Sequence, residues 1–363
     1  MKNLGIKTIK IVFCLREQQE EKLMLKTIEY GELEGNYVLV DVRSPGEFSE
    51  ATIIGAINIP LFDDEERKII GTVYTRESVD KAKRIGLEVG SKKLLHIYDE
   101  IKELNKQYDK IVLFCARGGM RSGVLGMLLS SLGVNIERIN EGYKGYRKFV
   151  IEKLPELNNP VQYIVLHGNT GVGKTEILKQ LECDGFDVLD LEGFANHRGS
   201  LLGTVGLGKT TSQKAFESKI YNMLRDAKSS YVFIEAESKR IGNTTIPDFI
   251  FEKMKSGIHL FVDADIDFRT NLIIEEYTKF ENCNEEIIEC LKRLEKYLGE
   301  KNVDRYCQSV LKSEYDEVVS ELMIKHYDPM YMHTSNKYDY KLKVMVVDIK
   351  TATKEIENWF KII

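Results

Sequence analysis

A cysteine followed by a turn rich in glycine and arginine is the stretch of this chain best suited to covalent chemistry. The residues run Ile-Val-Leu-Phe-Cys115-Ala-Arg117-Gly-Gly-Met-Arg121-Ser, and an apolar helix is predicted directly after them. Backbone N–H groups at a helix start favour anions, and together with two arginines they lower the pKa of a nearby thiol. We therefore predict that Cys115 attacks or carries an anionic group, with Arg117 and Arg121 beside it. The alternative is a cysteine that is simply buried at a strand end.

A second candidate anion site lies in the second half of the chain. The stretch Gly168-Asn-Thr-Gly171-Val-Gly173-Lys174-Thr175 follows an apolar strand and precedes a helix, which is the setting of a phosphate-binding loop, or P-loop. The backbone N–H groups of such a loop surround a di- or triphosphate, while its lysine adds positive charge and its threonine can hold a metal ion. We predict that these three glycines, the lysine and the threonine bind phosphate groups. The alternative is a glycine-rich turn without a ligand.

Both stretches lie where a strand ends and a helix begins in a predicted α/β fold. Apolar runs predict strands that begin near Tyr37, Ile53, Ile111, Val134, Val161, Phe186, Tyr231 and His259. Helices are predicted between these strands, and this alternation is typical of parallel sheets, which bind ligands at the carboxyl ends of their strands. Cys115 and the P-loop are both expected at such ends.

Charged residues in the first half are expected to support the cysteine loop. A predicted strand ends at Asp41, and Arg43, a Pro-Gly turn and Glu47 follow it. We predict that these three charged residues form a structural ion network beneath the loop and take no part in catalysis.

The predicted organisation is an N-terminal extension followed by two α/β domains and a helical region. Residues 1–24 are predicted to be a poorly ordered extension, and residues 25–152 form the first domain. Residues 153–160 contain two prolines and two asparagines and are predicted to be a linker. Residues 161–267 form the P-loop domain, and residues 268–363 are predicted to be mainly helical and packed on it.

The composition argues against several classes of protein. The net charge of −5 gives no global sign of nucleic-acid binding, so an RNA partner would need a local basic patch. The six cysteines are scattered without a CxxC pair, which argues against a zinc site and against a disulfide scaffold, and no metal ligands are predicted among them. No apolar run approaches the ~20 residues of a membrane span, and no signal peptide is predicted. We therefore expect a cytoplasmic protein without membrane attachment.

The order of the motifs resembles a known family. In the first half, the stretches Asp41–Phe48 and Gly55–Pro60 precede the Cys115 loop as in a rhodanese domain. In the second half, the P-loop is followed by the polar stretches Glu192–Ser200 and Glu237–Gly242. This combination is similar to the tRNA 2-selenouridine synthase family. The fold it implies is α/β, with a rhodanese-like parallel sheet domain followed by a P-loop NTPase-like α/β domain and a helical C-terminal region.

The resemblance implies a tRNA-modifying transferase with two anionic co-substrates. The family converts wobble 2-thiouridine in tRNA to 2-selenouridine with selenophosphate, through an S-geranylated intermediate made from geranyl diphosphate. By position, Cys115 matches the cysteine that carries selenium, and Gly168–Thr175 matches the loop that binds diphosphate. Lys174 and Arg198 would neutralise the diphosphate as it leaves. We expect no tightly bound cofactor, and Mg²⁺ is a candidate ligand of the P-loop.

Other functions fit parts of the sequence. Because a P-loop most often binds a nucleoside triphosphate, one alternative is an ATPase or kinase fused to a sulfurtransferase module. Another is a non-catalytic binding protein, although the intact Cys115 loop counts against it. Five residues separate Cys115 from Arg121, which is one more than in ordinary sulfurtransferases and favours a larger, phosphate-bearing anion. The same spacing is typical of cysteine phosphatases, but Phe114 stands where these enzymes usually have histidine.

Overall fold

The computed structural model describes residues 25–200, 202–329 and 337–362. The chain divides into two compact units, Met1–Lys153 and Leu154–Ile363. The predicted N-terminal extension, residues 1–24, lies outside the described residues. Among the residues that are described, no helix is both long enough and apolar enough to cross a membrane.

The described part of the first unit contains one five-stranded parallel sheet in the order β1-β5-β4-β2-β3. Its strands are β1 (Lys26–Ile28), β2 (Tyr37–Asp41), β3 (Ile57–Asn58), β4 (Lys110–Phe114) and β5 (Ile136–Ile139). The central strand β4 is the apolar run before Cys115, and its residues from Ile111 to Phe114 are completely buried. A continuous apolar run is expected for a parallel strand that is covered on both faces.

In the described part of this unit six α-helices accompany the sheet, and three of them begin at a side-chain cap. They are α1 (Pro45–Glu50), α2 (Asp64–Arg76), α3 (Val79–Ser91), α4 (Leu94–Leu104), α5 (Met120–Ser131) and α6 (Gly142–Asn158), and a short 3₁₀ helix spans Tyr30–Glu32. Ser44, Asp63 and Ser78 each accept a hydrogen bond from a backbone N–H group in the first turn of α1, α2 and α3, respectively. Such caps satisfy N–H groups that have no partner inside the helix. The sequence therefore fixes where these helices begin.

The second unit also contains a five-stranded parallel sheet within its described residues, in the order β12-β11-β6-β8-β7. Its strands are β6 (Gln162–His167), β7 (Val188–Leu189), β8 (Tyr231–Glu235), β11 (Ile258–Asp263) and β12 (Tyr340–Met345), and β9 (Arg240–Ile241) pairs with β10 (Thr244–Thr245) as a separate antiparallel ribbon. The central strand β6 leads directly into the P-loop. The predicted α/β fold class is thus confirmed for both units.

The helices of the second unit fall into two groups. Those that alternate with the strands are α7 (Lys174–Cys183), α8 (Leu191–Ala195), α9 (Gln213–Asp226), α10 (Asp248–Lys255) and the C-terminal α16 (Ile349–Phe360). The others are α11 (Ile266–Tyr277), α12 (Cys283–Arg293), α13 (Glu295–Leu298), α14 (Glu300–Leu311) and α15 (Tyr315–Leu322), with a π-helical turn at Met323–Tyr327. Buried residues of α12, α14 and α15 form an apolar core separate from the core around the sheet.

Three details of the predicted organisation differ in the structure. The segment 153–160, predicted to be a linker, is mostly helical, because α6 continues through Pro155 to Asn158. Leu154 and Asn158 are buried, and Asn158 accepts a hydrogen bond from the hydroxyl of Tyr163, so part of this segment is packed within the second unit. The mainly helical region 268–363 contributes the edge strand β12 to the sheet. The strand predicted from Ile53 is limited to Ile57–Asn58, since a turn precedes it.

Candidate functional site

The thiol of Cys115 lies at the carboxyl end of β4, where the first unit gathers hydrogen-bond donors around it. The hydroxyl of Ser122, on the first turn of α5, donates to Cys115 Sγ over 3.2 Å. Burial alone would raise the pKa of the thiol. The Ser122 hydroxyl, the backbone N–H groups of Ser122 and Arg117 and the charge of Arg121 outweigh burial, so the pKa of Cys115 lies below its ordinary value. A cysteine that is merely packed would have the opposite shift.

The backbone of the loop is held so that its N–H groups face the thiol. The N–H groups of Tyr143 and Lys144, at the start of α6, donate to the carbonyls of Cys115 and Ala116 over 2.8 and 3.0 Å. Gly142 has a φ of +57°, and a Cβ atom there would lie only 2.1 Å from the carbonyl oxygen of Cys115. Glycine is therefore required for this contact. Because the carbonyls of the loop are bonded to the start of α6, its backbone N–H groups face the opposite side, towards the thiol. An anion site needs N–H groups arranged in this way.

Arg121 is held in place by a residue that was predicted to have only a structural role. Its guanidinium donates to both carboxylate oxygens of Glu47, over 2.5 and 3.2 Å. Glu47 also pairs with Arg67, and although burial raises the pKa of Glu47, these two arginines lower it below its ordinary value. The side chain of Arg117 is exposed, and no ion pair is found for it among the described residues. Glu47 therefore positions one arginine of the loop and leaves the other available to a ligand.

Asp41 and Arg43 form the buried part of the expected ion network. Nε and Nη2 of Arg43 donate to the two carboxylate oxygens of Asp41 over 3.0 and 2.6 Å, and its guanidinium lies 4.3 Å from the ring centre of Tyr143. Both charged residues are almost completely buried. The pair thus supports the start of α6, which in turn holds the carbonyls of the cysteine loop. Among the residues that the structure describes, neither Asp41 nor Arg43 forms a hydrogen bond with the thiol.

Substitution of Ser122 by alanine is expected to raise the pKa of the Cys115 thiol, because the strongest hydrogen bond that favours the thiolate is lost. The thiolate is the reactive form, so the pH at which iodoacetamide alkylates Cys115 at half its maximal rate should move upward. Ser131→Ala on the exposed end of the same helix is the matched control and should leave the profile unchanged. An unaltered profile in Ser122→Ala would contradict this assignment.

In the second unit, the P-loop joins β6 to α7, and each of its glycines is needed. Gly168, Gly171 and Gly173 all have positive φ values. A Cβ atom on Gly168 would lie 2.3 Å from the carbonyl oxygen of Val262, and one on Gly171 would lie 2.8 Å from Ile273. The loop is thus wedged between β11 and α11, and no larger residue fits at these positions. This packing places the N-terminus of α7 behind the loop, as the predicted phosphate site requires.

Lys174 and Thr175 begin α7 at the base of this loop. Nζ of Lys174 donates to the carbonyls of Gly168 and Asn169 over 2.9 and 3.1 Å, which holds the ammonium at the loop. Arg269, a buried residue of α11 that was not predicted, donates to the carbonyl of Thr170 and makes a bidentate pair with Asp328. The helical region therefore braces the P-loop through one buried ion pair.

Arg198 has a different environment from the one predicted for a diphosphate ligand. Its Nε donates to Glu276 over 2.5 Å, its Nη1 donates to the carbonyl of Val205, and its guanidinium lies 4.7 Å from the ring centre of Tyr277. These partners tie the Arg198 loop to the end of α11. In this structure Arg198 thus stabilises the loop, and a contact with diphosphate would require it to exchange partners.

Three glutamates beside Lys174 were not among the predicted site residues. The backbone N–H of Glu192 donates to Oε1 of Glu235, while Oε2 of Glu235 is buried without a hydrogen-bond partner. A Cβ atom on Gly199 would touch carboxylate oxygens of both Glu192 and Glu237, at 2.7 and 2.9 Å. The sequence contained one signal for this cluster, because the glutamates lie at or just after the ends of β7 and β8. Leu166, near the end of β6, is in register with Glu235, so these strand ends and the P-loop lie at the same edge of the sheet. Parallel strands bring such ends together.

Burial is the main cause that raises the pKa of each of these glutamates above its ordinary value. Neighbouring carboxylates raise the pKa of Glu192 and Glu235 further, whereas the charge of Lys174 lowers the pKa of all three. The cluster therefore holds protons at a pH where exposed glutamates are ionised. A side-chain hydrogen bond joins Glu192 to Glu237, so these two carboxyls hold a proton between them.

The raised pKa of Glu192 predicts a pH-dependent loss of stability. Below its ordinary pKa of 4.5 the carboxyl is protonated in both the folded and the unfolded chain, but at higher pH only the folded chain keeps the proton. Stability should therefore fall as the pH rises towards the folded pKa. Glu192→Gln should flatten this fall in the thermal unfolding midpoint between pH 5 and pH 9, whereas Glu182→Gln on the exposed side of α7 should not. An equally steep fall in Glu192→Gln would refute the assignment.

Comparison with family models matches both units. Residues 29–149 match the model described as the rhodanese-like domain, and residues 161–361 match the one described as the tRNA 2-selenouridine synthase AAA domain. The two matched segments contain Cys115 and the P-loop, respectively. The second model alone covers more than half of the chain.

Curated proteins similar to this chain carry one common name. A tRNA 2-selenouridine synthase of Hydrogenovibrio crunogenus is 30% identical over 85% of this chain and 91% of its own length. One of Shewanella pealeana is 30% identical over 84% of this chain and 90% of its own length. Another, of Nitrosomonas europaea, is 32% identical over 66% of this chain and 63% of its own length. The similarity therefore extends across both units.

Proposed function

Because the chain belongs to the tRNA 2-selenouridine synthase family, we propose that it converts wobble 2-thiouridine in tRNA to 2-selenouridine in two steps, each at its own anion site. Geranyl diphosphate is the co-substrate of the first step, and selenophosphate is that of the second. The observation that carries the proposal is the difference between the two loops. One surrounds a thiol whose pKa is lowered, and the other surrounds a lysine beside protonated carboxyls.

In the first step, the sulfur of the thiouridine attacks C1 of geranyl diphosphate. A C–S bond forms, the C–O bond to diphosphate breaks, and the base loses its N3 proton to solvent. The P-loop N–H groups and Lys174 neutralise the charge that develops on diphosphate. Because no phosphoryl group is transferred, the site does not need the ionised acid pair of an ATPase.

In the second step, selenium replaces the geranylated sulfur at C2 of the base. A thiocarbonyl sulfur is a poor leaving group, but alkylation converts it to a thioether that a selenium nucleophile can expel. Selenophosphate binds in the Cys115 loop, where Arg117 and the backbone N–H groups contact its phosphate group. The Cys115 thiolate attacks phosphorus, so that an S–P bond forms, the Se–P bond breaks and selenide is released within the loop. The selenide attacks C2 of the geranylated base, C2–Se forms and geranylthiol leaves. Water then hydrolyses the S–P bond and returns Cys115 with release of phosphate.

Mg²⁺ is proposed as a ligand of the P-loop together with the diphosphate. Within the described residues, no group of three or more His, Cys, Asp or Glu side chains could hold a metal ion without the substrate. The hydroxyl of Thr175, at the start of α7, would hold a cation that takes its other ligands from phosphate and water. Bound there, Mg²⁺ would add positive charge beside the leaving diphosphate.

The two steps can be measured separately with the purified protein. Thiolated tRNA and geranyl diphosphate should give tRNA that is heavier by one geranyl group, and later addition of selenophosphate should convert that base to 2-selenouridine. The control is the same tRNA without the 2-thio group, which should react in neither step. No geranylated tRNA, together with phosphate release from ATP that Lys174→Ala abolishes, would instead establish the ATPase or kinase alternative.

A further inference from the structure

The Cys115 loop of the first unit contains the groups that transfer a phosphoryl group to a thiolate and then to water. Cys115 is the nucleophile at the start of the loop, and Arg121 follows after five residues. The backbone N–H groups of Arg117 and Ser122 interact with Cys115 Sγ, and the Ser122 hydroxyl donates to it over 3.2 Å. These groups act on the thiol or on phosphate oxygens, and none of them requires selenium in the substrate.

We propose that the Cys115 loop also hydrolyses small phosphate monoesters whose leaving group is a weak base, through a phosphocysteine at Cys115. The inference rests on the proposed function, because that function has the Cys115 thiolate attack the phosphorus atom of selenophosphate. It adds a second activity at the same site, the cleavage of a P–O bond in compounds without selenium. An aryl phosphate such as p-nitrophenyl phosphate represents this substrate class.

The hydrolysis needs only the ester and water, and it has two steps. In the first, the thiolate attacks phosphorus, an S–P bond forms, the P–O bond breaks, and the leaving group departs with the electron pair. In the second, water attacks phosphorus, the S–P bond breaks, and the sulfur of Cys115 regains its negative charge. Inorganic phosphate is released, and the proton that water loses goes to solvent. Nothing is oxidised or reduced.

Arg121 is fixed in place before a substrate binds. Its two terminal nitrogens donate to the two carboxylate oxygens of Glu47 over 2.5 and 3.2 Å. The guanidinium carries further N–H groups, which suit the oxygens of a phosphoryl group in the forked geometry of arginine. Burial raises the pKa of the Cys115 thiol, and the charge of Arg121 is among the influences that lower it, so the guanidinium acts at the nucleophile. Because the side chain is already held, little of its conformational entropy is lost on binding.

The ionised state of Glu47 limits the substrates. Burial raises the pKa of Glu47, but Arg121 and Arg67 outweigh burial, so this pKa lies below its ordinary value of 4.5. At neutral pH Glu47 therefore has no proton to give to a departing oxygen. The leaving group must be stable as an anion. Selenide and p-nitrophenolate meet this condition, whereas the alkoxide of an alkyl phosphate does not.

Ser122 has its largest effect in the second step. The thiolate is the nucleophile of the first step and the leaving group of the second, and the Ser122 hydroxyl stabilises it in both. A thiolate that is less stabilised attacks better but leaves more slowly. At a pH where its thiol is ionised, Ser122→Ala should therefore release p-nitrophenolate in a burst equal to the protein concentration, followed by slow turnover. The phosphocysteine that accumulates can be identified by mass spectrometry after rapid quenching.

Hydrolysis of p-nitrophenyl phosphate by the purified full chain tests the inference. The wild-type rate should exceed that of Cys115→Ser, prepared in the same way, by at least about 10²-fold. Arg121→Lys should lose most of the activity, because an ammonium cannot bind two phosphate oxygens as a guanidinium does. Arg84→Lys, at an exposed position of α3, is the matched control and should be fully active. Phenyl phosphate should react at least about tenfold more slowly, since phenolate is the stronger base.

The outcomes separate this inference from the proposed function. If the protein forms 2-selenouridine but hydrolyses p-nitrophenyl phosphate no faster than Cys115→Ser does, the inference is wrong and the proposed function stands. If the hydrolysis depends on Cys115 but no 2-selenouridine is formed, the inference stands and the proposed function is wrong. Equal rates with phenyl phosphate would overturn the limit to weakly basic leaving groups. Hydrolysis without a phosphocysteine in Ser122→Ala would overturn the covalent step.

Discussion

Replacement of Cys115 by alanine is expected to reduce selenium incorporation by at least about 10³-fold, which is the scale seen when a nucleophile is removed, while geranylation continues. The thiol is the nucleophile that releases selenium from selenophosphate, and the P-loop has its own set of ligands. Mass spectrometry of nucleosides from the treated tRNA would show S-geranyl-2-thiouridine accumulating in place of 2-selenouridine. The buried position of Cys115 makes a thermal unfolding measurement necessary beside the assay.

Two further variants test whether the loss of selenium incorporation is specific to the Cys115 thiol. Cys183→Ala removes an exposed cysteine and should leave both steps unchanged. Ser122→Ala keeps the thiol but raises its pKa, so selenium incorporation should be reduced at neutral pH and recover at higher pH. Loss of both steps in a folded Cys115→Ala protein would show that the two sites do not divide the reaction as proposed.

Replacement of Lys174 by alanine is expected to reduce geranylation by about 10²–10³-fold, the usual effect of removing one preorganised group that stabilises developing charge. The ammonium lies at the P-loop through its hydrogen bonds to the carbonyls of Gly168 and Asn169. Without it, the leaving diphosphate keeps only the backbone N–H groups and the carboxyl cluster. The rate of diphosphate release with thiolated tRNA measures this step directly.

The same variant should be rescued by a substrate that bypasses the first step. When tRNA that already carries S-geranyl-2-thiouridine is supplied with selenophosphate, Lys174→Ala should form 2-selenouridine at the wild-type rate. Lys179→Ala, on the exposed side of the same helix, is the matched control and should support both steps. A Lys174→Ala protein that fails with the geranylated tRNA would place the lysine in the second step as well.

The sequence predicted the local parts of both sites because their signals are short in range. A cysteine after an apolar strand, a Gly-Arg turn and an apolar helix indicated the loop around Cys115. The P-loop pattern with its flanking strand and helix indicated the second site. Helix caps such as Ser44 and Asp63 act within one turn, so the boundaries of these helices are also encoded locally.

Other features depend on contacts between residues that are far apart in the chain. Glu47 pairs with Arg121 of the cysteine loop, and Asn158, in the segment predicted to be a linker, is buried and bonded to Tyr163. Arg269 reaches the P-loop carbonyl of Thr170 only because α11 packs beside it. Sequence spacing carries no information on such pairs.

The sequence by itself thus determined the fold class and the positions of the Cys115 loop and the P-loop. Only the tertiary structure decided that Arg198 stabilises its own loop, and that Glu192, Glu235 and Glu237 share a buried position beside Lys174. The reason is physical. Main-chain geometry and helix starts follow from neighbouring residues, whereas burial, pKa and cavity shape arise from the packing of distant elements.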